Sequence, residues 1–507
     1  MLVEERRKLG SAPPELEERE ATQGHGYSDK GLYGGLAAGA EGKRYGRGVF
    51  GDKVKIGGYG SFRFAANNIA SGPRVGDLPP LQFSHNSFDF RRFVITVDAA
   101  PSKRLRFYTE IEFERLNGIE VERNAVPENR GRAGRDRRGT RFIQELEGQS
   151  GGELALEQAW GQFNFNDVVG IRGGVVLPPV GRFNILHDDD YWDLPRRTLV
   201  DREATVLPSK VAWREVGAGV VINKPLGDGY FDAQAYVVNG PKLDFSLEET
   251  VSLREGRNLL EREPEVAFNS GAFDGSQTTA GLTWRVALSP KLGHEIAFSG
   301  YHGRYTPDYL KLKPWVHTLA VDGKTTWGNF EAEGEFVYTD YKGFRNVLDD
   351  IALQFVNVAA KTLSTETSLL ESEVEAEFAG PLVDRKKGFW IDLKYRLRPK
   401  WLQRISELED PHFIPIVRWD RVWFHDFVRG FEFKNSQITG LTLDTTAQER
   451  ITVGLALRLM PSVVISTAWE HNRLLRGKSF LAPRPVGTDP IPGRSFDSFV
   501  AGMAFGF

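Results

Sequence analysis

Apolar side chains recur at every second position over much of this chain. Val54, Ile56, Phe62 and Phe64 share one parity, and Lys55, Tyr59, Ser61 and Arg63 the other. Leu105, Phe107, Thr109, Ile111 and Phe113 oppose Arg106, Tyr108, Glu110, Glu112 and Glu114. The same alternation sets Leu282, Trp284, Val286 and Leu288 against Thr283 and Arg285. It sets Phe330, Ala332, Phe336 and Tyr338 against Glu331, Glu333 and Glu335, and Val374, Ala376 and Phe378 against Glu371, Glu373, Glu375 and Glu377. Phe389, Ile391, Leu393, Tyr395 and Leu397 oppose Asp392, Lys394, Arg396 and Arg398, and Ile451, Val453, Leu455, Leu457 and Leu459 oppose Thr452 and Arg458. The last ten residues alternate Phe499, Ala501, Met503, Phe505 and Phe507 with Ser498, Val500, Gly502, Ala504 and Gly506. Successive side chains of a strand point to opposite faces, so each run predicts a strand with one greasy face and one polar or small-residue face. Further runs near 87–100, 153–166, 169–180, 214–223, 229–239, 294–304, 315–327, 413–424, 436–446 and 462–472 bring the total to about 18.

The connections are unequal. Short turns such as Ala100–Lys103, Ser289–Gly293 and Met460–Ser462 alternate with long stretches at 119–152, 181–213, 240–277, 342–368 and 473–497. Short turns at one end and long loops at the other are the plan of a transmembrane antiparallel β-barrel with periplasmic turns and extracellular loops. The charged rows agree. A row of glutamates on one face of a strand cannot face lipid, where each charge costs several kcal/mol, but it can face an aqueous lumen. The expected fold is an all-β barrel of 16–18 strands over 53–507, closed by a strand whose terminal Phe507 serves as an assembly signal. Strand 388–398 is expected beside 369–379, pairing Lys394, Arg396 and Arg398 with Glu373, Glu375 and Glu377 across the strands.

The polar, Gly-rich residues 1–52 carry no such alternation and read as a periplasmic arm able to meet a periplasmic partner. Met1–Gly10 holds charges but no apolar core and no Ala-x-Ala site. It is not a signal peptide, so an exported protein is expected to be processed or to start elsewhere.

Composition sharpens the picture. The chain has 507 residues, 40% hydrophobic and 26% charged, and its mean hydropathy of −0.36 fits alternating strands and polar loops. No run of 18 uncharged apolar residues is present, so no membrane-spanning helix is expected. The absence of cysteine excludes disulfides, thiolate metal sites and covalent c-type haem attachment. A net charge of −3 gives no bulk attraction to nucleic acid. There is no GxSxG, HExxH or P-loop, and the nine histidines are scattered, so no enzyme is indicated and neither a metal nor a cofactor is expected.

Two regions resemble a known family. Leu156–Trp160, Gly174–Gly181, Arg197–Asp201 and Gly217–Val220, and later Ile416–Arg421, Ile451–Val463 and Ala468–His471, are similar in order to motifs of the phosphate-selective porins of the O and P type. The family's usual Lys is replaced by Leu177, and its Phe by Val176 and Val180. The resemblance implies a bacterial outer-membrane porin, an anion channel of 16 strands, usually trimeric, with its third extracellular loop folded into the pore. By strand order that loop is 181–213, carrying Asp188, Asp189, Asp190, Arg196, Arg197, Arg202 and Lys210. A hard cation at Asp188–Asp190 is less favoured than a solvated loop, since three consecutive side chains do not converge unaided.

Parity places Lys55, Arg63, Arg92, Arg106, Glu110, Glu112, Glu114, Arg285, Glu331, Glu333, Glu335, Glu373, Glu375, Lys394, Arg396, Arg398, Arg418 and Arg458 on the channel wall. Both signs are represented, so selectivity stays open. The arginines of 119–152 fit an anion vestibule or lipopolysaccharide phosphates, or a disordered basic loop. The expected function is passive diffusion of small hydrophilic solutes and ions, with an anion preference for substrates such as phosphate. The alternatives are a sheath around an electron-conducting cytochrome and a soluble or surface-attached β-protein.

Overall fold

The computed structural model describes residues 47–49, 53–70, 82–114, 119–130, 137–148, 153–203, 206–209, 212–254, 257–269, 280–291, 293–306, 310–351, 377–379, 383–405, 407–408, 410–434, 437–476 and 495–507. Sixteen strands form one ring. They are β1 Val54–Ala70, β2 Gln82–Ser102, β3 Leu105–Glu114, β4 Glu153–Asn164, β5 Val169–Val176, β6 Glu215–Leu226, β7 Gly229–Val238 and β8 Gly281–Lys291. The second half comprises β9 His294–Arg304, β10 Trp315–Trp327, β11 Phe330–Tyr341, β12 Val383–Tyr395, β13 His412–Lys434, β14 Gln437–Met460, β15 Val463–Arg476 and β16 Ser495–Gly506. Each strand runs antiparallel to its sequence neighbour in the ring. The ring closes where β1 pairs with β16, from Tyr59 opposite Gly506 to Asn68 opposite Asp497. Closure leaves no sheet edge unpaired in lipid, the condition for a β-protein to span a membrane.

The alternation gives the wall two faces. On β10, Leu319 and Val321 are exposed on the outside, while Thr318, Ala320 and Asp322 are buried on the inside. On β13, Val417 and Trp419 face out and Arg418 and Asp420 face in. Phe298, Leu393, Val453 and Phe499 continue the outer apolar belt on other strands. The outer face is therefore greasy and the inner face charged, the reverse of a water-soluble protein.

Sixteen strands replace the upper bound of eighteen for two reasons. The runs 436–446 and 451–459 are parts of one strand, β14. Of the run 370–379 the described residues are Glu377–Ala379, a short strand that pairs in parallel with Glu265–Ala267 outside the ring. The expected pairing of 388–398 with 369–379 is therefore wrong. Strand β12 instead lies between β11 and β13, with Lys394 opposite Glu331. Glu373 and Glu375 lie outside the described residues.

One end of the barrel has tight turns, such as Pro461–Ser462 between β14 and β15. At the other end, the hairpins Ile119–Arg130/Arg137–Gly148 and Lys242–Arg254/Arg257–Asn269 form small sheets of their own. The β13–β14 hairpin also outruns its neighbours, because β12 stops opposite Phe427 and β15 opposite Ala447. Of 1–52, only the short strand Arg47–Val49, paired to the start of β1, is described.

Candidate functional site: the lumen and the segment that crosses it

Residues 177–214 connect β5 to β6 through the inside of the barrel. The sequence turns them inward. Pro178 and Pro179 offer no N–H to continue the ladder. Gly181 follows at φ 74°, a conformation open to glycine at little cost, and its N–H donates to Ser299 Oγ on β9 at 3.0 Å. Two residues on, the Phe183 N–H donates to Glu335 on β11 at 2.9 Å.

An unpatterned set of apolar side chains follows. Val180, Phe183, Leu186, Trp192, Leu199, Val200, Val206, Leu207 and Trp213 are all buried in one cluster with Tyr301, Val337 and Trp390 of the wall. Phe183 stacks on Trp192 with ring centres 4.2 Å apart, and Trp390 of β12 meets Trp192 edge-on at 5.4 Å. The segment thus has a core of its own, seated on inward aromatics.

Ion pairs fix it to the walls. Arg182 reaches Glu295 on β9 at 2.9 Å and Glu333 on β11 at 3.2 Å. Asp193 accepts from Arg458 of β14 at 2.7 Å and from Lys394 of β12 at 3.1 Å. Arg196 meets Glu470 of β15 at 3.0 Å. Leu199 N–H donates to Asp420 of β13 at 3.2 Å, and the same carboxylate accepts from Arg450 at 2.9 Å. In a ring of sixteen, the strands opposite the β5–β6 junction are β13 and β14. The segment therefore spans the full width of the lumen.

The sequence-derived site residues fall as follows. Arg92, Arg106, Glu110, Glu112, Arg285, Glu331, Glu333, Glu335, Lys394, Arg396, Arg418 and Arg458 are buried on the inner face. Most are tied to an opposite charge on the wall: Arg106 grips Asp98 at 2.8 and 2.7 Å, Arg418 grips Asp392 at 2.6 and 2.7 Å, and Arg285 grips Asp322 at 2.5 and 2.7 Å. Arg396 meets Glu331 at 2.7 Å. Arg63 and Glu114 are partly buried, Arg63 lying 3.4 Å from Asp89. Lys55 is exposed at the short-turn end. Arg398 lies past the end of β12 and bonds Asp410 at 3.0 and 3.1 Å, so it belongs to the rim.

In the crossing segment Arg196, Arg197 and Asp190 are buried, and Asp188 and Asp189 partly so. The aspartate run is thus no solvated loop: Asp189 takes a 2.7 Å bond from Ser61 and a 3.3 Å bond from Arg197. Arg202 has only its backbone described, in the turn Leu199–Glu203, and Lys210 lies outside the described residues. The side chains of the arginine-rich 119–152 are likewise outside them. At the seam, Phe507 exchanges backbone bonds with Gly58 at 3.0 and 3.1 Å, and its ring stacks on Phe93 with centres 5.7 Å apart.

Sequence reasoning missed Glu157, Arg182, Asp193, Asp420, Arg450 and Glu470. Inward parity could have found Arg450, and Asp420 adjoins the inward Arg418 in the wall pattern. Nothing local marks Asp193 or Arg182, whose ion-pair partners are over a hundred residues away. His187, on the crossing segment, lies 3.0 Å from Glu157 of β4. Burial opposes a charge on the ring, yet the Glu157 carboxylate outweighs it and lifts the imidazole to about 10.

No family model matches the chain. An uncharacterized protein of Aquifex aeolicus is 27% identical over 347 residues, which span 68% of this chain and 62% of that relative. Among solved structures, the anion-selective porin from Comamonas acidovorans aligns at a TM-score of 0.45 with 9% identity, over 90% of this chain and 99% of that one. OmpF of Salmonella typhi, in complex with daunomycin, gives 0.45 with 11% identity over the same shares. OprB of Pseudomonas putida gives 0.42 with 9% identity, over 90% of this chain and 94% of that one.

Proposed function

We propose that the protein is an outer-membrane porin for passive diffusion of small hydrophilic solutes and ions. One observation carries this reading: a closed barrel with an apolar outside and an inside lined by ionised groups from every quarter of the ring. Such an interior suits water and solutes, and a charged wall replaces part of a solute's hydration as it passes. The crossing segment is the constriction, narrowing the lumen and setting the local field with Asp189, Asp193, Arg196 and Arg197.

An anion preference belongs to the proposal. Lys394, Arg418, Arg450 and Arg458 cluster on β12 to β14, Lys394 and Arg458 bonded to Asp193 of the segment and Arg418 and Arg450 to its backbone carbonyls, and the likeness to phosphate-selective porins points the same way. The outer membrane of a Gram-negative bacterium is the matching location, with lipopolysaccharide around the barrel and a homotrimer as the assembly implied by the resemblance. The cytochrome-sheath alternative is less favoured, because the chain's own segment fills the space a threaded haem protein needs.

The test is planar-bilayer recording of the purified protein in a potassium chloride gradient and in potassium phosphate. Discrete conductance steps with an anion-selective reversal potential are expected. Failure to conduct would end the porin reading, and a cation-selective potential would end the anion preference alone.

A further inference from the structure

Three potential metal ligands converge where the crossing segment meets β3 and β4. His187 Nε2, one oxygen of Glu157 and one of Glu110 lie within 4.8 Å of one another, and all three residues are buried. His187 Nε2 and Glu157 Oε2 are 3.0 Å apart. Two adjacent ligands on one cation, each about 2.0–2.2 Å from it, stand roughly 3.0–3.5 Å apart. The spacing thus suits a shared cation as well as a hydrogen bond.

Groups outside the trio orient it. His187 Nδ1 lies 3.1 Å from the carbonyl oxygen of Asn184, which directs Nε2 at the carboxylates. A metal-bound histidine is usually held by such a partner on its other nitrogen. Gln158 Nε2 donates to Glu110 at 2.8 Å, and the Tyr108 hydroxyl donates to the same oxygen at 3.3 Å. Of the other charged groups facing the trio, Arg92 turns its Nε to Glu112 at 2.7 Å, and Asp188 stands 4.0 Å from His187 Nε2. The donor set is one imidazole nitrogen and two carboxylates. That mixture favours zinc and its first-row neighbours over calcium or magnesium, which prefer oxygen alone.

We propose that Glu110, Glu157 and His187 bind a divalent transition-metal cation such as Zn2+, which pins the root of the crossing segment to β3 and β4. Binding puts the cation in place of the direct 3.0 Å contact between His187 Nε2 and Glu157. The proposal does not depend on conduction, and its test reads none.

Full-length protein in detergent is stripped with a chelator and titrated with zinc chloride by calorimetry. One site per chain is expected, weakened at least tenfold by His187→Gln and by Glu157→Gln and unchanged by Lys55→Gln. X-ray absorption of the zinc-loaded wild type is expected to show imidazole scattering with oxygen neighbours. This second measurement needs no variant to fold. Absence of a saturable site, equal affinity in the variants, or a zinc shell without imidazole would each overturn the proposal and leave the three as an ion-pair cluster.

Discussion

Asp193 accepts a 2.7 Å hydrogen bond from Nε of Arg458, a residue 265 positions later and on the far side of the lumen. The same guanidinium donates to the backbone carbonyls of Asp190 and Tyr191 at 3.1 and 2.8 Å. Arg458 thus grips a short stretch of the segment's backbone together with its carboxylate. Lys394 closes on the other carboxylate oxygen at 3.1 Å. The segment is held at its far end as firmly as at its root.

Removing that carboxylate takes the one counter-charge from buried Arg458, which keeps only backbone carbonyls, while Lys394 retains Glu333. Breaking a buried pair from one side costs about 3–5 kcal/mol. Asp193→Ala is expected to lower unfolding stability by that order, read from denaturant titration followed by tryptophan fluorescence. A loss below about 1 kcal/mol, typical of a solvent-exposed pair, would mean that the far-wall anchor is not formed.

The seat of the segment can be trapped directly. A Cβ built on Gly502 of β16 would lie 3.0 Å from Cβ of Pro195. Disulfides have Cβ atoms about 3.5–4.5 Å apart, so a small relaxation suffices. The chain has no cysteine of its own. Pro195→Cys with Gly502→Cys is expected to oxidise readily to one intramolecular bond, visible by mass spectrometry and gel mobility. Two free thiols persisting under oxidant would place the segment elsewhere.

The outer belt makes a separate prediction. Phe298 and Leu319 are among its exposed side chains, at 51% and 56%. An arginine on the lipid face costs about 2–4 kcal/mol near the midplane and less near the interfaces. Leu319→Arg is expected to destabilise folding into lipid vesicles by about that much. Thr318→Arg also perturbs folding, but through crowding inside the barrel, so its cost should not depend on bilayer thickness. Equal thickness dependence in both would contradict the assignment of faces.

The His187–Glu157 pair has a pH signature. The folded imidazole titrates at about 10, above the unfolded value of about 6.5. Its stabilising contribution is therefore complete below the unfolded value and is lost as pH rises through the folded one. Chelator-treated wild type is expected to lose stability along that alkaline stretch more steeply than His187→Gln. Parallel curves would show that the ring carries no charge in the fold.

Much of this architecture was legible in the sequence, and its limits have physical causes. A period of two reports that a strand has unlike faces, not which strand lies beside it. The glutamates near 370–379 alternate as well as Glu331 and Glu333 do, yet it is Glu331 and Glu333, on the strand beside β12, that meet Arg396 and Lys394. A polar patch around Asp444–Gln448 split one long strand into two runs, although β14 continues through it. The crossing segment has no period to read. Its apolar residues pack on a curved inner wall, and their contacts come from strands far away in the chain. Asp193 reads as an ordinary loop aspartate until closure of the barrel brings β12 and β14 to it.

The central claim is that residues 177–214 cross the lumen and limit what passes. Single-channel conductance in planar bilayers tests it, comparing the wild type with a variant in which 183–212 is replaced by a short Gly-Ser linker. A several-fold larger conductance is expected of the shortened protein at the same salt concentration. Equal conductance in the two would contradict it.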